Sequence, residues 1–176
     1  MNKVQLAILD IDGVLTDGRK YYGTDGMPFA KTYCDKDFTA IKRLRGAGVK
    51  VCFLSGDTNI NENMAKNRNI DFYAARGRDK AEFIPEFTET YGVSPENMLY
   101  IGDDLFDLSV MQEVGHAFCP ADAAVKLREW CGDYNTLKSF GGHNVVAEMV
   151  EVLLSRDLVE DATMEQIEAL DKNEKF

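Results

Sequence analysis

The sequence lacks every pattern that would hold a chain together by disulfides or structural metal. Its four cysteines form no Cys-x-x-Cys pair and show no regular spacing with the two histidines. Cysteines used in this way are typical of free thiols in a reducing compartment. We therefore expect a cytoplasmic protein, whose 176 residues bury a core large enough to fold without cross-links.

Long apolar runs and an excess of positive charge are also absent. The apolar run in the opening stretch, MNKVQLAILDIDG, is too short for a signal peptide or a membrane span. With 30 acidic and 20 basic residues, the formal net charge is -10. Because an acidic surface repels phosphate backbones and anionic lipid, we expect neither nucleic acid nor membrane as a partner. Any phosphate-binding site must supply its own local positive charge.

No internal repeat, low-complexity tract or linker divides the chain. Short apolar stretches rich in branched residues alternate with stretches of helical periodicity, which predicts an α/β fold with a doubly wound parallel sheet. The predicted strands are residues 4–11, 49–56, 70–75, 97–104 and 115–120, and the predicted helices are residues 38–46, 79–91, 105–114 and 145–154. Residues 1–155 would form the core, and residues 156–176 an acidic tail with a helix at roughly 158–170.

One segment departs from this alternation. Residues 19–33 contain the turn signal Thr24-Asp25-Gly26 between aromatic flanks, which predicts a β-hairpin flap. Its aromatic residues would pack either on their own domain or on another subunit, and they are Tyr21, Tyr22, Phe29 and Tyr33. The intervals from Asp12 to Ser55 and from Ser55 to Lys80 are too short to hold a separate cap domain.

Three predicted strands end in residues suited to phosphate chemistry. Asp10 and Asp12 end the first, Ser55 the second, and Asp103 and Asp104 a later one. The fold would gather these groups, because ligands of an open parallel sheet bind outside the carboxyl ends of its strands. On an extended strand Asp10 and Asp12 would face the same way and would repel each other without a cation. Mg²⁺ prefers such oxygen ligands, so we predict a magnesium site at this edge.

Each motif also has a purely structural interpretation. An isolated Asp-x-Asp-Gly is a common turn, Gly-Asp-Asp can cap a helix, and Lys80 alone would be a solvated surface lysine. The order of the motifs favours a catalytic interpretation. An acidic strand end, a Ser-Gly strand end, a lysine at a helix start and a second acidic strand end follow one another along the chain.

Four motifs together resemble the haloacid dehalogenase superfamily of phosphatases: DIDGVLTDG at 10–18, LSGD at 54–57, RDK at 78–80 and YIGDDLFDLSVM at 100–111. They are most similar to a small capless branch that contains the 3-deoxy-D-manno-octulosonate 8-phosphate phosphatases. That branch also includes phosphatases of nine-carbon keto-acid sugar phosphates and a domain of some cytidylyl-sialate synthetases. The likeness covers about residues 4–153. It implies a Rossmann-like phosphatase without a cap domain, which assembles as a homotetramer through its hairpins and acts on a small phosphorylated metabolite.

The resemblance also implies a role for each candidate residue. Asp10 would be the nucleophile that forms an aspartyl-phosphate, and Asp12 the general acid and base. Mg²⁺ would be held by Asp10, the backbone carbonyl of Asp12 and Asp103. Lys80 would pair with Asp10 and the phosphate. The remaining roles are phosphoryl binding by Gly13, Ser55 and Gly56, and support of the site from a second layer by Asp104 and Asp107.

The chain departs from the octulosonate phosphatases where three sets of arginines would be expected. It has Asp57 after Ser-Gly, Asn-Glu-Asn-Met at residues 61–64, and His143 in the late glycine-rich loop; Phe106 also replaces a proline. Asp and His do not replace arginine in bidentate binding of a carboxylate, although Asp57 could accept hydrogen bonds from sugar hydroxyls. We assign Asp57 and His143 to substrate binding and expect the octulosonate ester not to be the best substrate. The sequence does not show whether Lys66, Arg68 or Arg76 supplies the missing charge.

Two other functions stay open. One is a different phosphoryl-transfer enzyme, such as a phosphatase of nucleotides or nucleic-acid ends, or a phosphomutase. The other is a non-catalytic assembly domain of the same fold. The charge of -10 disfavours polymers, and the lack of a cap disfavours a mutase. A scaffold would not need the five candidate residues together: Asp10, Asp12, Ser55, Lys80 and Asp103.

Overall fold

The computed structural model of the chain describes residues 3–174. Its strands are, in chain order, β1 (Leu6–Leu9), β2 (Tyr21–Tyr22), β3 (Pro28–Ala30), β4 (Lys50–Ser55), β5 (Asp71–Ala74), β6 (Met98–Ile101) and β7 (His116–Phe118). Five of them form one parallel sheet in the order β5-β4-β1-β6-β7. The first strand therefore lies at the centre of the sheet, between β4 and β6.

Helices cover both faces of this sheet. They are α1 (Asp35–Gly46), α2 (Ile60–Asn67), α3 (Ile84–Tyr91), α4 (Leu108–Glu113), α5 (Val125–Asn135), α6 (Val145–Ser155) and α7 (Met164–Asp171). Ala7 and Leu9 pack into one core with α1 and α6, whereas Leu6 and Ile8 pack into a second core with α3, α4 and α5. Because both faces are covered, β1 is wholly buried and reads as a continuous apolar run. The predicted doubly wound α/β fold is confirmed, and residues 3–174 contain no separate cap domain.

The observed elements differ from the predicted ones mainly at their ends. The predicted helices at 79–91 and 105–114 each begin with a 3-10 turn, at Lys80–Phe83 and Leu105–Asp107. Helix α5 was missed altogether, and no bounds were predicted for α2. The apolar pattern of α5 is weak, because Val125 and Trp130 are exposed, and Gly132 interrupts it with a φ of 63°.

The predicted hairpin is present as the antiparallel pair β2 and β3. Its turn is closed by a bond from the amide of Gly26 to the carbonyl of Gly23, and Asp25 accepts from the amide of Met27. Of the four aromatic residues, only Tyr33 packs on its own domain, with its ring centroid 5.8 Å from that of Phe38. The other three are exposed: Tyr21, Tyr22 and Phe29.

The chain after α6 lies against α1. Lys42 is almost buried and pairs with Glu174 at 3.1 Å and with Asp171, while Arg43 pairs with Asp161 at 2.8 Å. A capping box at Thr163 begins the terminal helix, which is shorter than the predicted one. No helix within residues 3–174 is both long enough and apolar enough to cross a membrane.

Candidate active site

The carboxyl ends of β1, β4 and β6 open into one cavity of about 930 Å³. The fold brings most of the predicted site residues to its lining from distant parts of the chain. These are Asp10, Asp12, Ser55, Gly56, Asp57, Lys80, Asp103, Asp104 and Asp107. The candidate residues therefore meet at the predicted edge, outside the carboxyl ends of the parallel strands.

Asp10 follows β1 directly and is 7% exposed. Its Oδ2 accepts a hydrogen bond from Nζ of Lys80 at 2.7 Å, and its Oδ1 accepts from the amide of Ile11 at 2.7 Å. Lys80 also donates to the hydroxyl of Tyr100 at 2.9 Å and to Oδ1 of Asp107 at 2.6 Å. Burial opposes the charge on Lys80, but Asp10 and Asp107 outweigh burial and raise the pKa of its ammonium. Lys80 therefore holds a full positive charge against the carboxylate of Asp10.

Three acids form a tight group in the cavity. Carboxylate oxygens of Asp10, Asp103 and Asp107 all lie within 4.8 Å of one another. Burial raises the pKa of Asp10 to about 7, with Lys80 opposing and Asp107 adding to the shift. Burial likewise raises the pKa of Asp103 to about 8, and Asp10 and Asp107 add to it. Acids whose charged forms are this unfavourable fit a divalent cation that takes oxygen ligands.

Asp107 differs from the other two acids because both of its oxygens already have donors. Its Oδ1 accepts from Lys80 and from the hydroxyl of Tyr100, both at 2.6 Å. Its Oδ2 accepts from the amides of Asp103 and Asp104 at 2.9 and 3.0 Å. The side chain of Asp104 caps the 3-10 turn that follows. These contacts shape the loop that carries Asp103.

The turn at Gly13 is packed too closely for a side chain. Its φ is +82°, and a Cβ there would lie 1.9 Å from Oδ2 of Asp103. The loop before α6 packs on the same turn, since a Cβ at Gly141 would lie 2.0 Å from the carbonyl oxygen of Gly13. His143 in that loop is exposed, with Nδ1 2.8 Å from the carbonyl oxygen of Gly141. His143 does not line the cavity of the single chain.

Contrary to our expectation, Asp12 does not share an extended strand with Asp10, because β1 already ends at Leu9. It lies in the turn that follows and still lines the cavity. Its Oδ2 accepts from Nδ2 of Asn61 at 3.0 Å, and the same amide group donates to Oγ of Ser55 at 3.1 Å. Ser55 also accepts from the amide of Asp57 at 3.3 Å, so its own hydroxyl hydrogen remains for another acceptor.

Two lysines that the sequence analysis missed reach the site from either end of the hairpin. Nζ of Lys31 lies 2.7 and 3.0 Å from the two carboxylate oxygens of Asp12, 2.7 Å from Asp57 and 2.9 Å from Oδ1 of Asn61. Lys20 lies 2.9 Å from the same oxygen of Asp57. Although burial opposes it, Lys31 and Lys20 hold the pKa of Asp57 below its usual range. The charge of Asp57 is therefore offset by two lysines that belong to the hairpin segment.

Only one of the three cations proposed as replacements for the missing arginines lies at the cavity. Arg76 lines it, whereas Arg68 stacks over Phe38 at 3.5 Å and pairs with Glu174. Lys66 is exposed and is not among the lining residues. Phe106, which replaces a proline of the octulosonate phosphatases, is 82% exposed and lines the cavity mouth.

Comparison with known proteins identifies relatives over nearly the whole chain. Residues 57–135 match the family model of the haloacid dehalogenase-like hydrolases. The 3-deoxy-D-manno-octulosonate 8-phosphate phosphatase of Haemophilus influenzae is 30% identical over 88% of this chain and 84% of its own length. The corresponding enzyme of Escherichia coli K12 is 32% identical over 86% of this chain and 79% of its own length.

Solved structures give the same result. The Yersinia pestis 3-deoxy-D-manno-octulosonate 8-phosphate phosphatase superposes with a TM-score of 0.80 at 32% identity, over 91% of this chain and 86% of that one. A cobalt-bound phosphatase of this kind from Haemophilus influenzae also gives 0.80, at 30% identity, over 88% and 90% of the two chains. The chain therefore belongs to the haloacid dehalogenase-like hydrolases, and it is a phosphatase of the branch that includes the 3-deoxy-D-manno-octulosonate 8-phosphate phosphatases.

Proposed function

We propose that the protein is a magnesium-dependent phosphomonoesterase that acts through an aspartyl-phosphate on a small phosphorylated sugar or keto-acid sugar. One observation carries the proposal. A buried lysine, Lys80, lies 2.7 Å from Asp10 beside a second acid, Asp103, in an open cavity. Such a combination of nucleophile, cation and acid pair is what phosphoryl transfer requires.

Asp10 and Asp103 fit a bound Mg²⁺, since the pKa values of both are raised above their usual range in the protein without metal. We assign the ion to these two carboxylates and to the backbone carbonyl of Asp12. A bound ion of this kind neutralises charge on the transferring phosphoryl group. The cobalt-bound relative from Haemophilus influenzae supports a divalent metal site in this branch.

The protein's own residues account for the remaining steps. A carboxylate oxygen of Asp10 attacks phosphorus as the bond to the leaving oxygen breaks, and Asp12 gives that oxygen a proton. Asp12 then takes a proton from the water that hydrolyses the aspartyl-phosphate. The hydroxyl of Ser55 and the amide of Gly56, which both line the cavity, donate to the phosphoryl oxygens. Lys80 keeps Asp10 oriented and offsets negative charge in the transition state.

The substrate proposal rests on the relatives and on the charge around the cavity. The curated relatives are phosphatases of an octulosonate 8-phosphate, which is a phosphorylated keto-acid sugar. Although the whole chain carries -10, basic residues cluster at this cavity: Lys20, Arg76, Arg78 and Lys80. Local positive charge of this kind suits a small anionic ester. It also provides what an acidic protein needs to hold phosphate.

We further propose a homotetramer assembled through the hairpins. Tyr21, Tyr22 and Phe29 are 57%, 61% and 67% exposed, which is unusual for three large side chains on one short hairpin. A neighbouring subunit that covers them would also cover an open site that has no cap of its own. The four free thiols favour a reducing compartment, and we place the protein in the cytoplasm.

A panel of phosphate esters assayed with and without Mg²⁺ tests the proposal. The wild type should hydrolyse a generic aryl phosphate only with the metal. Asp10→Asn should lose at least about 10³-fold in turnover, because the nucleophile and a metal ligand are removed together. If that variant stayed near wild-type activity, Asp10 would not be the nucleophile. A folded wild type without activity on any ester would favour a non-catalytic assembly domain.

A further inference from the structure

The hairpin segment contacts the site through one buried ammonium group, that of Lys31. Lys31 follows β3 directly, and its side chain has no exposed surface. Its Nζ is surrounded by acceptors of the site: both oxygens of Asp12, one oxygen of Asp57 and the amide oxygen of Asn61. A buried ammonium is costly unless its donors are all used, and here they are used on the residues of one network.

Asn61 completes the arrangement from the other side. It is fully buried at the start of α2, and its Oδ1 accepts from Lys31 and, at 3.1 Å, from the hydroxyl of Tyr33. These two donors fix which way its amide group points. Nδ2 must then face Asp12 and Ser55, to which it donates. Asp12 is therefore held by donors from two elements that lie far apart in the chain.

We propose that Lys31, together with Asn61, positions the carboxylate of Asp12 for proton transfer and so makes the hairpin part of the catalytic apparatus. The inference rests on the proposed function, in which Asp12 moves the proton. Asp12 lies in a turn with its side chain 24% exposed, so the turn alone leaves its carboxylate free to rotate. A contact to both of its oxygens, charge-assisted and buried, removes that freedom.

A positioning role predicts an effect that depends on the leaving group. When the phosphorus–oxygen bond breaks, an alkoxide must receive the proton of Asp12, whereas an aryl oxide is stable as an anion. Misplacing Asp12 should therefore slow the first step for a sugar phosphate far more than for an aryl phosphate. If Lys31 merely stabilised the fold or neutralised charge, both substrates would suffer alike.

The test compares Lys31→Met with two reference variants at saturating Mg²⁺. Asp12→Asn removes the proton carrier itself. Lys42→Met is the matched control, because the side chain of Lys42 is also nearly buried and ion-paired, but with Glu174 in the tail. Single-turnover release is measured from p-nitrophenyl phosphate and from a hexose phosphate. Vanadate affinity and the melting temperature are recorded for each protein.

Lys31→Met should lose about 10- to 100-fold in the rate with hexose phosphate and less than about threefold in first-turnover release of nitrophenolate. Its vanadate affinity should stay within about twofold of the wild type, as for a residue that acts on turnover rather than binding. Lys42→Met should match the wild type in both rates. Equal losses on the two esters, or no loss, would overturn the role of Lys31.

Loss of the buried charge can also unfold the protein. A second comparison, in which an acid is neutralised together with Lys31, keeps the charge balanced and tests the role in that case. Lys31→Met combined with Asp57→Asn is compared with Asp57→Asn alone, and the same split between the two esters is required. The proposed function fails separately: either the wild type hydrolyses no ester, or Asp12→Asn behaves like the wild type. An active wild type, an impaired Asp12→Asn and an unaffected Lys31→Met would overturn the positioning role alone.

Discussion

Replacing Asp103 by Asn tests the physical basis of the metal site without measuring activity. Oxygens of Asp103 and Asp10 lie within 4.8 Å of each other. Two full charges at that distance repel by about 3.5 kcal/mol at an effective dielectric constant of about 20. Lys80 offsets part of this repulsion. We therefore expect Asp103→Asn to raise the unfolding free energy of the metal-free protein by about 1–3 kcal/mol where both acids are ionised.

The sign of the pH dependence follows from the two pKa values. Those of Asp10 and Asp103 are about 7 and about 8 in the folded protein, both above the usual 3.8. Between the usual pKa of 3.8 and the raised values in the folded protein, the folded state keeps protons that the unfolded state has released. The metal-free protein therefore loses stability as pH rises through this range. Its melting temperature in EDTA should fall between about pH 6 and about pH 8.5. The fall should be smaller in Asp103→Asn.

Thermal denaturation followed by circular dichroism measures this directly. For a chain of this size 1 kcal/mol corresponds to about 2–4 °C, so the expected gain is several degrees at the higher pH. Adding Mg²⁺ should raise the melting temperature of the wild type at the higher pH but change that of Asp103→Asn little. Asp104→Asn is the control: it removes the same charge one residue away, and asparagine caps a helical turn as well as aspartate. If Asp103→Asn were less stable than the wild type in EDTA both at about pH 6 and at about pH 8.5, the two acids would not repel each other.

Three further predictions follow from the proposed mechanism and assembly. Asp12→Asn should keep its affinity for metal and phosphate analogue while turnover falls by about 10²–10⁴-fold, measured as kcat beside Kd; proportional losses in both would make Asp12 a binding residue. Sedimentation at micromolar concentration should show a homo-oligomer that dissociates when Tyr21 and Phe29 are replaced by serine, and a monomeric wild type would contradict the assembly. Finally, another sugar phosphate should match or exceed the octulosonate 8-phosphate in kcat/KM, and the threshold for rejecting this expectation is a preference for the octulosonate of about 100-fold, or about 2.7 kcal/mol. A larger preference would show that other groups, such as Lys20 or Arg76, replace the missing arginines.

Local sequence patterns were sufficient to predict the sheet and the edge at which the candidate site lies. A fully buried parallel strand must be apolar on both faces, so β1, β4 and β6 are visible as short runs of branched and aliphatic residues. The acids and the serine that follow those runs then lie at one edge, because parallel strands share a direction. Helix α5 escaped detection for the opposite reason: it buries too few side chains to produce a clear period.

The partners of the acids could be found only in the tertiary structure. By itself the sequence determined which strands end in Asp10, Asp12, Ser55 and Asp103. It contains no local signal for Lys31 or Asn61, which reach Asp12 from 19 and 49 residues away. Burial periodicity reports which face of an element is covered, whereas an ion pair depends on where two elements lie relative to each other. That relation arises when the hairpin and α2 pack over the end of the sheet, and only then is Asp57 neutralised and Asp12 held in place.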